Sequence, residues 1–120
     1  MCSNIFIIDD DRAVRESLQA LFDAYDFTVQ AFASGPDFLE SALPPANSVV
    51  ILDLNLPGMD GMTVLRCLRE ERKSELPVVV ITGYATPKTH EQAIAAGANA
   101  FMLKPFDVSA LIETVVHLAN

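Results

Sequence analysis

The chain has 120 residues, 51% of them apolar, and its 8 basic and 16 acidic residues give a formal net charge of −8 at pH 7. These values predict one compact domain over residues 1–120 and argue against a disordered chain. No apolar run reaches the roughly 18 residues that span a bilayer, and no cluster of basic residues is dense enough for a nucleic-acid backbone, so we expect neither a membrane segment nor direct nucleic-acid binding.

Strand and helix patterns alternate along the whole chain. Short apolar runs predict five strands, at residues 4–8, 27–32, 49–52, 78–81 and 100–103. Apolar residues at helical spacing follow the strands, as after the first strand at Val14, Leu18, Leu21 and Phe22. This alternation predicts five βα units, an α/β fold and a single parallel sheet.

The fourth predicted helix has fewer large apolar residues than the others. Thr86 is predicted to be its N-cap, with Pro87 in the first turn. Its apolar face consists mainly of Ala93, Ile94 and Ala96. We therefore expect it to be the least firmly packed element of the fold.

The richest basic stretch, residues 66–73, also contains Glu70 and Glu71. Acidic and basic residues that are three or four positions apart on a helix pair with each other. We therefore predict that this stretch is a solvated helix face with internal ion pairs.

Neither Cys2 nor Cys67 lies in a CxxC or Cys/His spacing. Two inert thiols in a reducing compartment are therefore expected rather than a disulfide or a metal site. The N-terminus also lacks the basic region and long apolar stretch of a signal peptide. These features predict a cytoplasmic protein.

Acid, hydroxyl and amine groups follow four of the predicted strands. Three acids at 9–11 follow the first strand and Asp53 follows the third, while Thr82 and Lys104 follow the fourth and fifth. Because the carboxyl ends of parallel strands open on one crevice, we expect these side chains to converge. The sequence therefore predicts a single polar site at this edge of the sheet.

Several carboxylates on one rim repel one another, so the site needs a compensating positive charge. The ammonium of Lys104 supplies one, and a hard divalent cation such as Mg²⁺, which takes oxygen ligands, supplies another. Asp53 stands alone at its strand end, and a carboxylate acts as a nucleophile when it forms an aspartyl phosphate. Because phosphoryl transfer depends mostly on positioning and charge neutralisation, the site suits that chemistry.

Each of these signals also has an ordinary structural explanation. An Asp after a strand commonly caps a helix, and for Asp11 we expect such a capping role as readily as a role in the site. A lone Thr at a strand end is usually a turn residue, and a lone Lys is usually solvated. The functional prediction depends on the joint placement of the four groups.

Four motifs resemble the receiver domain of two-component response regulators, a CheY-like domain. They are residues 5–11 (IFIIDDD), 51–61 (ILDLNLPGMDG), 79–83 (VVITG) and 97–106 (GANAFMLKPF). Residues 32–35 and 12–18 are most similar to the FixJ-type group. The resemblance covers essentially the whole chain and implies a doubly wound, flavodoxin-like fold with strand order 2-1-3-4-5.

The resemblance also implies what the site does. Asp53 would accept a phosphoryl group from a sensor histidine kinase or a phosphotransfer protein. Asp10, Asp53 and the main-chain carbonyl of Asn55 would bind Mg²⁺, or Mn²⁺ in its place, and Asp9 would act through a metal-bound water. Lys104 would contact the acyl phosphate, and a cis peptide bond before residue 105 would orient it. The domain would be a signalling module whose only chemistry is its own phosphorylation and dephosphorylation.

Thr82 and Phe101 would form a switch pair, in which the hydroxyl moves to the phosphoryl group and the ring turns inward. Phe101 replaces the commoner Tyr, and the alternative for it is plain core packing. The switch would alter the surface of the fourth helix, fifth strand and fifth helix. This surface would support a phosphorylation-dependent homodimer through the fourth helix and fifth strand, and control of a transcriptional output domain.

Two other functions compete with this one. Haloacid-dehalogenase-type phosphatases also use a strand-end Asp-x-Asp, which would make Asp9 the nucleophile. The chain is short for a cap domain, however, and that scheme leaves Asp53 without a role. A binding-only module of flavodoxin-like fold leaves unexplained why every polar strand end is present.

Overall fold

The computed structural model describes residues 4–119, which form one sheet of five parallel strands. The strands are β1 (Asn4–Ile8), β2 (Thr28–Phe32), β3 (Ser48–Asp53), β4 (Val78–Thr82) and β5 (Ala100–Leu103). Their order across the sheet is β2-β1-β3-β4-β5, with all neighbouring pairs parallel. The predicted fold class and strand order are confirmed, and the strand bounds differ from the predicted ones by one residue at most.

Five helices connect and follow the strands. They are α1 (Arg12–Asp23), α2 (Gly35–Glu40), α3 (Gly61–Arg66), α4 (Pro87–Ala95) and α5 (Val108–Ala119). A π-helical turn, Cys67–Glu71, continues α3. Within residues 4–119, no helix has the length and apolar character needed to cross a membrane.

The sheet divides the core into two layers because strand side chains alternate between its faces. Ile5 and Ile7 of β1 pack with α1 and α5, which contribute Leu18 and Leu111 among others. Phe6, Ile8 and the matching residues of β3 and β4 pack on the other face, against α2, α3 and α4. Because β3 and β4 lie inside the sheet and are covered on both faces, their ends are firmly placed.

The α4 helix is sparsely packed, as predicted. Thr86 caps it, with a hydrogen bond from the Thr89 backbone N–H to the Thr86 hydroxyl. Ala93 is its buried residue, whereas the side chain of Ile94 is 45% exposed. Little apolar surface therefore holds this helix on the sheet.

The prediction for residues 66–73 is wrong in part, because two of its three arginines bind carbonyl groups. Arg69 donates hydrogen bonds to the carbonyls of Gly97 and Ser74, and Arg72 donates one to the carbonyl of Leu39. Both arginines are half-buried. A guanidinium has five donors in a planar fork, and here the fork joins the end of α3 to neighbouring loops.

Cys67 is a free thiol, as predicted. Burial and a hydrogen bond with Glu71 raise the pKa of the Cys67 thiol, which favours its unreactive protonated form. Cys2 lies outside the described residues.

Candidate functional site

The ends of four neighbouring strands build the site. Asp53 is the last residue of β3, in the middle of the sheet, and Asp9 follows β1 on one side of it. On the other side, Thr82 ends β4 and Lys104 follows β5. Asp53 therefore lies between an acidic side and a side that carries a hydroxyl and an amine.

Lys104 links the two sides directly. Its Nζ lies 2.7 Å from Asp9 Oδ2 and 3.0 Å from Asp53 Oδ2. The side chains of Asp9 and Asp53 are 0% and 3% exposed, against 22% for Lys104. The convergence expected from the strand ends is present, and a single ammonium serves two buried carboxylates.

The remaining oxygens of these acids accept hydrogen bonds from the backbone. Asp53 Oδ1 accepts one from the Asn55 N–H at 2.9 Å, and Asp9 Oδ1 accepts one from the Asp11 N–H at 2.9 Å. Arg15 also donates to the main-chain carbonyl of Asp9 at 2.8 Å. Each carboxylate is thus held in one orientation by the turn that follows its strand.

The buried environment changes the proton affinities of the pair. Burial raises the pKa of Asp53, and the charge of Asp9 adds to the rise, while Asn55 and Lys104 oppose it. Burial alone lowers the pKa of Lys104, but its hydrogen bonds to Asp9 and Asp53 and their charges outweigh burial, so the pKa of Lys104 lies above its usual value. The ammonium therefore remains charged at neutral pH beside two acids that repel each other.

Asp9, Asp10 and Asp53 form a compact acidic cluster. Each offers a carboxylate oxygen, and these oxygens all lie within 4.8 Å of one another. Asp10 is exposed, so one side of the cluster is open to solvent. Hard oxygen donors with an open side fit Mg²⁺, which keeps several waters when it binds to proteins. Asp11, by contrast, caps α1, and its side chain accepts from the Ala13 N–H.

Thr82 is fully buried, and its hydroxyl has two partners. It accepts a hydrogen bond from the side-chain amide of Asn55 at 2.6 Å and donates one to the Tyr84 carbonyl at 3.0 Å. Sequence reasoning assigned Asn55 a main-chain role and missed this side-chain contact. The Asn55 amide joins the turn after Asp53 to the end of β4.

Phe101 lies on β5, half-buried at the margin of the core layer that α4 covers. Its ring stacks on that of His90 from α4, with ring centroids 4.7 Å apart and planes inclined by 29°. Sequence reasoning did not select His90. The spacing of His90 and buried Ala93, three positions apart on one helix face, was the available signal.

Gly61 is a further residue that sequence reasoning did not select. A Cβ atom at this position would lie 2.2 Å from the carbonyl oxygen of Asp53 and 2.7 Å from the Cα of Leu54. The start of α3 therefore packs against the backbone of the phosphoacceptor candidate, an approach that only glycine permits. The Lys104–Pro105 peptide bond is cis, as predicted.

Comparisons with known proteins agree with this geometry. A family model of the response regulator receiver domain matches residues 5–116. The chain is 32% identical to the transcriptional regulatory protein FixJ of Bradyrhizobium diazoefficiens over 120 residues, which is 98% of this chain and 58% of that protein. It is 34% identical to the C4-dicarboxylate transport transcriptional regulatory protein DctD of Rhizobium meliloti over 111 residues, which is 92% of this chain and 24% of that protein.

A crystal structure of FixJ-N superimposes with a TM-score of 0.88 at 33% identity, and the match covers 99% of this chain and 94% of that one. The chain thus spans a quarter to three-fifths of the length of the two curated relatives described above. None of these relatives supports the phosphatase alternative.

Proposed function

The chain belongs to the family of response regulator receiver domains of two-component systems, and we propose that it accepts a phosphoryl group on Asp53 from a histidine kinase or a phosphotransfer protein. The surroundings of Asp53 carry this proposal. The oxygens of Asp9 and Asp10 lie within 4.8 Å of its carboxylate oxygen, and Lys104 Nζ lies 3.0 Å from Asp53 Oδ2 and 2.7 Å from Asp9 Oδ2. A nucleophile in this position has both a cluster of metal-binding oxygens and a fixed ammonium within reach.

In the proposed reaction, a carboxylate oxygen of Asp53 attacks the phosphorus of a phosphohistidine. An O–P bond forms while the P–N bond breaks, and the donor nitrogen keeps the electron pair. Hydrolysis of the acyl phosphate by water later returns the carboxylate and releases inorganic phosphate. Because the attacking oxygen of Asp53 loses its negative charge when the O–P bond forms, the ammonium of Lys104 then pairs with the phosphoryl oxygens.

We assign the metal site to Asp10, Asp53 and the main-chain carbonyl of Asn55, with Asp9 acting through a water. Bound Mg²⁺, or Mn²⁺ in its place, would neutralise the charge of the phosphoryl oxygens. The oxygen-rich donor set and the exposure of Asp10 support this assignment. The backbone N–H of Asn55 already holds one oxygen of Asp53 in place.

Phosphorylation is also proposed to act on the switch pair, Thr82 and Phe101. A phosphoryl group brings negative charge and acceptor oxygens, which compete with the Tyr84 carbonyl for the proton of the Thr82 hydroxyl. Movement of Thr82 frees space for the Phe101 ring on the same face of the sheet. The surface of α4, β5 and α5 then changes, and a second copy of the chain or an output domain that controls transcription recognises it. The cytoplasmic location and the absence of direct nucleic-acid binding stay predictions.

Labelling with acetyl phosphate and Mg²⁺ tests the phosphoacceptor. Intact-mass measurement should show one added phosphoryl group, located at Asp53 by peptide mapping after borohydride reduction. Asp53→Asn should abolish it, because an amide is a poor nucleophile. Asp60→Asn is the matched control, since Asp60 lies seven residues away and caps α3 through a side-chain oxygen that Asn retains. Undiminished labelling of Asp53→Asn, or labelling at Asp9, would overturn the assignment.

The switch has a separate test in Thr82→Ala. This variant should still be phosphorylated, but the amide chemical-shift changes over residues 83–106 should shrink, because the hydroxyl that follows the phosphoryl group is gone. Sedimentation with and without acetyl phosphate should show weaker phosphorylation-dependent dimerisation in the same variant. Shift changes restricted to α1 and α2 in the wild-type chain would contradict the proposed switch.

A further inference from the structure

The exposed side chain of His90 on α4 contacts Phe101 on β5. The two rings stack with centroids 4.7 Å apart. Beside them lies an open cavity of about 410 Å³, lined by Ala85, Thr86, Pro87 and Leu103 together with the two rings. The Phe101 ring thus has the core on one side, His90 on another, and open space next to it.

The two ends of α4 are held differently, which makes this contact important. After its C-terminal end, the Gly97 carbonyl accepts hydrogen bonds from Arg69 Nε and Nη2, at 3.2 and 2.8 Å, and Arg69 also donates to Asn99 Oδ1. The N-terminal half has the caps of Thr86 and Thr89, which are internal to the helix. The His90 stack is a side-chain contact that joins this half of α4 to β5.

Thr82 and Phe101 are each restrained in the state described here. The hydroxyl of Thr82 is engaged by Asn55 and Tyr84, and the ring of Phe101 is engaged by His90. Phe101 lies opposite Val80 in the pairing of β4 with β5. Val80 comes two residues before Thr82, so Phe101, Val80 and Thr82 lie on the same face of the sheet. A ring that turns inward along this face must leave His90.

We propose that His90 is a positioning residue that holds the Phe101 ring in its outward, half-buried position until Asp53 is phosphorylated. This inference rests on the proposed function for the signal and goes beyond it by naming the group that restrains Phe101. Stacked aromatic pairs contribute enough to change an equilibrium constant by about 2- to 12-fold. Loss of the imidazole ring should therefore shift Phe101 toward the inward position by a similar factor.

The test measures the side-chain rotamers of Phe101 by NMR in the full chain with ¹³C-labelled phenylalanine, first without phosphodonor. His90→Ala and His90→Gln should raise the inward-to-outward ratio by about 2- to 12-fold relative to the wild-type chain. His90→Phe, which restores an aromatic ring, should return the ratio to within about 2-fold of wild type. Rescue by a ring, and not by a polar group of similar size, separates stacking from a general effect on α4.

Lys88→Ala provides the matched control, because Lys88 is exposed on the same helix and takes no part in the stack. It should leave the ratio unchanged. An equal ratio in wild type, His90→Ala and His90→Gln would overturn the inference, as would a Lys88→Ala effect as large as that of His90→Ala. Because these measurements use unphosphorylated protein, their outcome does not depend on whether Asp53 is the phosphoacceptor, which the labelling experiment decides.

Discussion

The acidic end of the sheet and the region between α4 and β5 are held by different kinds of contact. At the acidic end, Asp9 and Asp53 are buried, and each has both a backbone donor and Lys104 as partners. Between α4 and β5, Ala93 is buried, Ile94 and Leu103 are about half exposed, and one aromatic stack spans the gap. The first region opposes movement with charge and hydrogen bonds, whereas the second has little apolar contact to lose.

This difference matches the division of labour in the proposed function. Phosphoryl transfer requires groups that stay fixed in the geometry of the reaction. A switch requires an element with two arrangements of similar free energy, and weakly packed elements meet this condition. Arg69 holds the residue after the C-terminal end of α4 through the Gly97 carbonyl, so we expect movement of this helix mainly at its N-terminal end, near Thr82.

The largest expected effect comes from removing the cation of the acidic end. Lys104→Met leaves two buried carboxylates facing each other. We expect it to lower the free energy of unfolding by about 3 kcal/mol at pH 7 without Mg²⁺. This value is at the lower end of the range for a broken buried ion pair, because the side chain of Lys104 is 22% exposed. Urea unfolding in the presence of a chelator measures it. Arg12→Met, which breaks an ion pair whose side chains are 81% and 65% exposed, should cost less than about 0.5 kcal/mol. Equal losses in the two variants would contradict the expectation that burial makes the ion pairs of Lys104 more important for stability than an exposed pair.

Two glycines offer a second comparison: Gly61 lies beside Asp53 at the acidic end, and Gly83 lies between β4 and α4. Gly61→Ala places a methyl group 2.2 Å from the Asp53 carbonyl, and we expect a loss of about 2 kcal/mol together with slower phosphorylation, because the backbone of Asp53 must shift. Gly83→Ala, between β4 and α4, meets no atom within 4 Å and should change stability by less than about 0.5 kcal/mol. Thermal unfolding and the rate of labelling by acetyl phosphate measure both. A tolerated Gly61→Ala would show that the turn after Asp53 is not rigid.

Much of the acidic end could be predicted from the sequence because it follows from topology. In a parallel sheet, polar residues at strand ends meet at one edge, so the sequence alone is enough to group Asp53, Thr82 and Lys104. The weak packing of α4 could be predicted as well, because it depends on the composition of one helix.

The contacts that were missed depend on how separate elements are rotated and spaced. Arg69 reaches Gly97, 28 residues away, and His90 reaches Phe101 only because α4 and β5 are oriented to bring the rings together. A sequence pattern shows which face of a helix is apolar, but it does not show which polar side chain meets which loop. The steric requirement at Gly61 likewise arises from a close approach between β3 and α3 that no local pattern encodes.

The charge of Asp53 should make the stability of the metal-free protein depend on pH. Burial raises its pKa above the ordinary value of 3.8, so the folded state binds the proton more tightly than the unfolded state. The stability that the carboxyl contributes is therefore full below pH 3.8 and is lost as the pH rises through the folded-state pKa. Asp53→Asn avoids this loss and should therefore unfold at a higher temperature than the wild-type chain at pH 7.

Calorimetry from pH 3.5 to pH 7 in the presence of a chelator tests it. The advantage of Asp53→Asn should shrink toward the acid end of this range, where the wild-type carboxyl is protonated in both states. A lower melting temperature for Asp53→Asn at pH 7 would mean that Lys104 more than compensates for the burial of the charge.

The smallest expected effect lies on the outer face of α4. Ile94 is 45% exposed, so Ile94→Ala should change the free energy of unfolding by less than about 0.5 kcal/mol, with the lost contact partly offset by the higher helix propensity of Ala. The same substitution at Ile81, which is 0% exposed in β4, should cost about 3 kcal/mol. Urea unfolding of both variants at one protein concentration gives the contrast. If Ile94→Ala cost more than about 1.5 kcal/mol, α4 would be held to the domain far more firmly than its buried surface indicates. A movement of this helix would then have to overcome more free energy than one aromatic stack contributes.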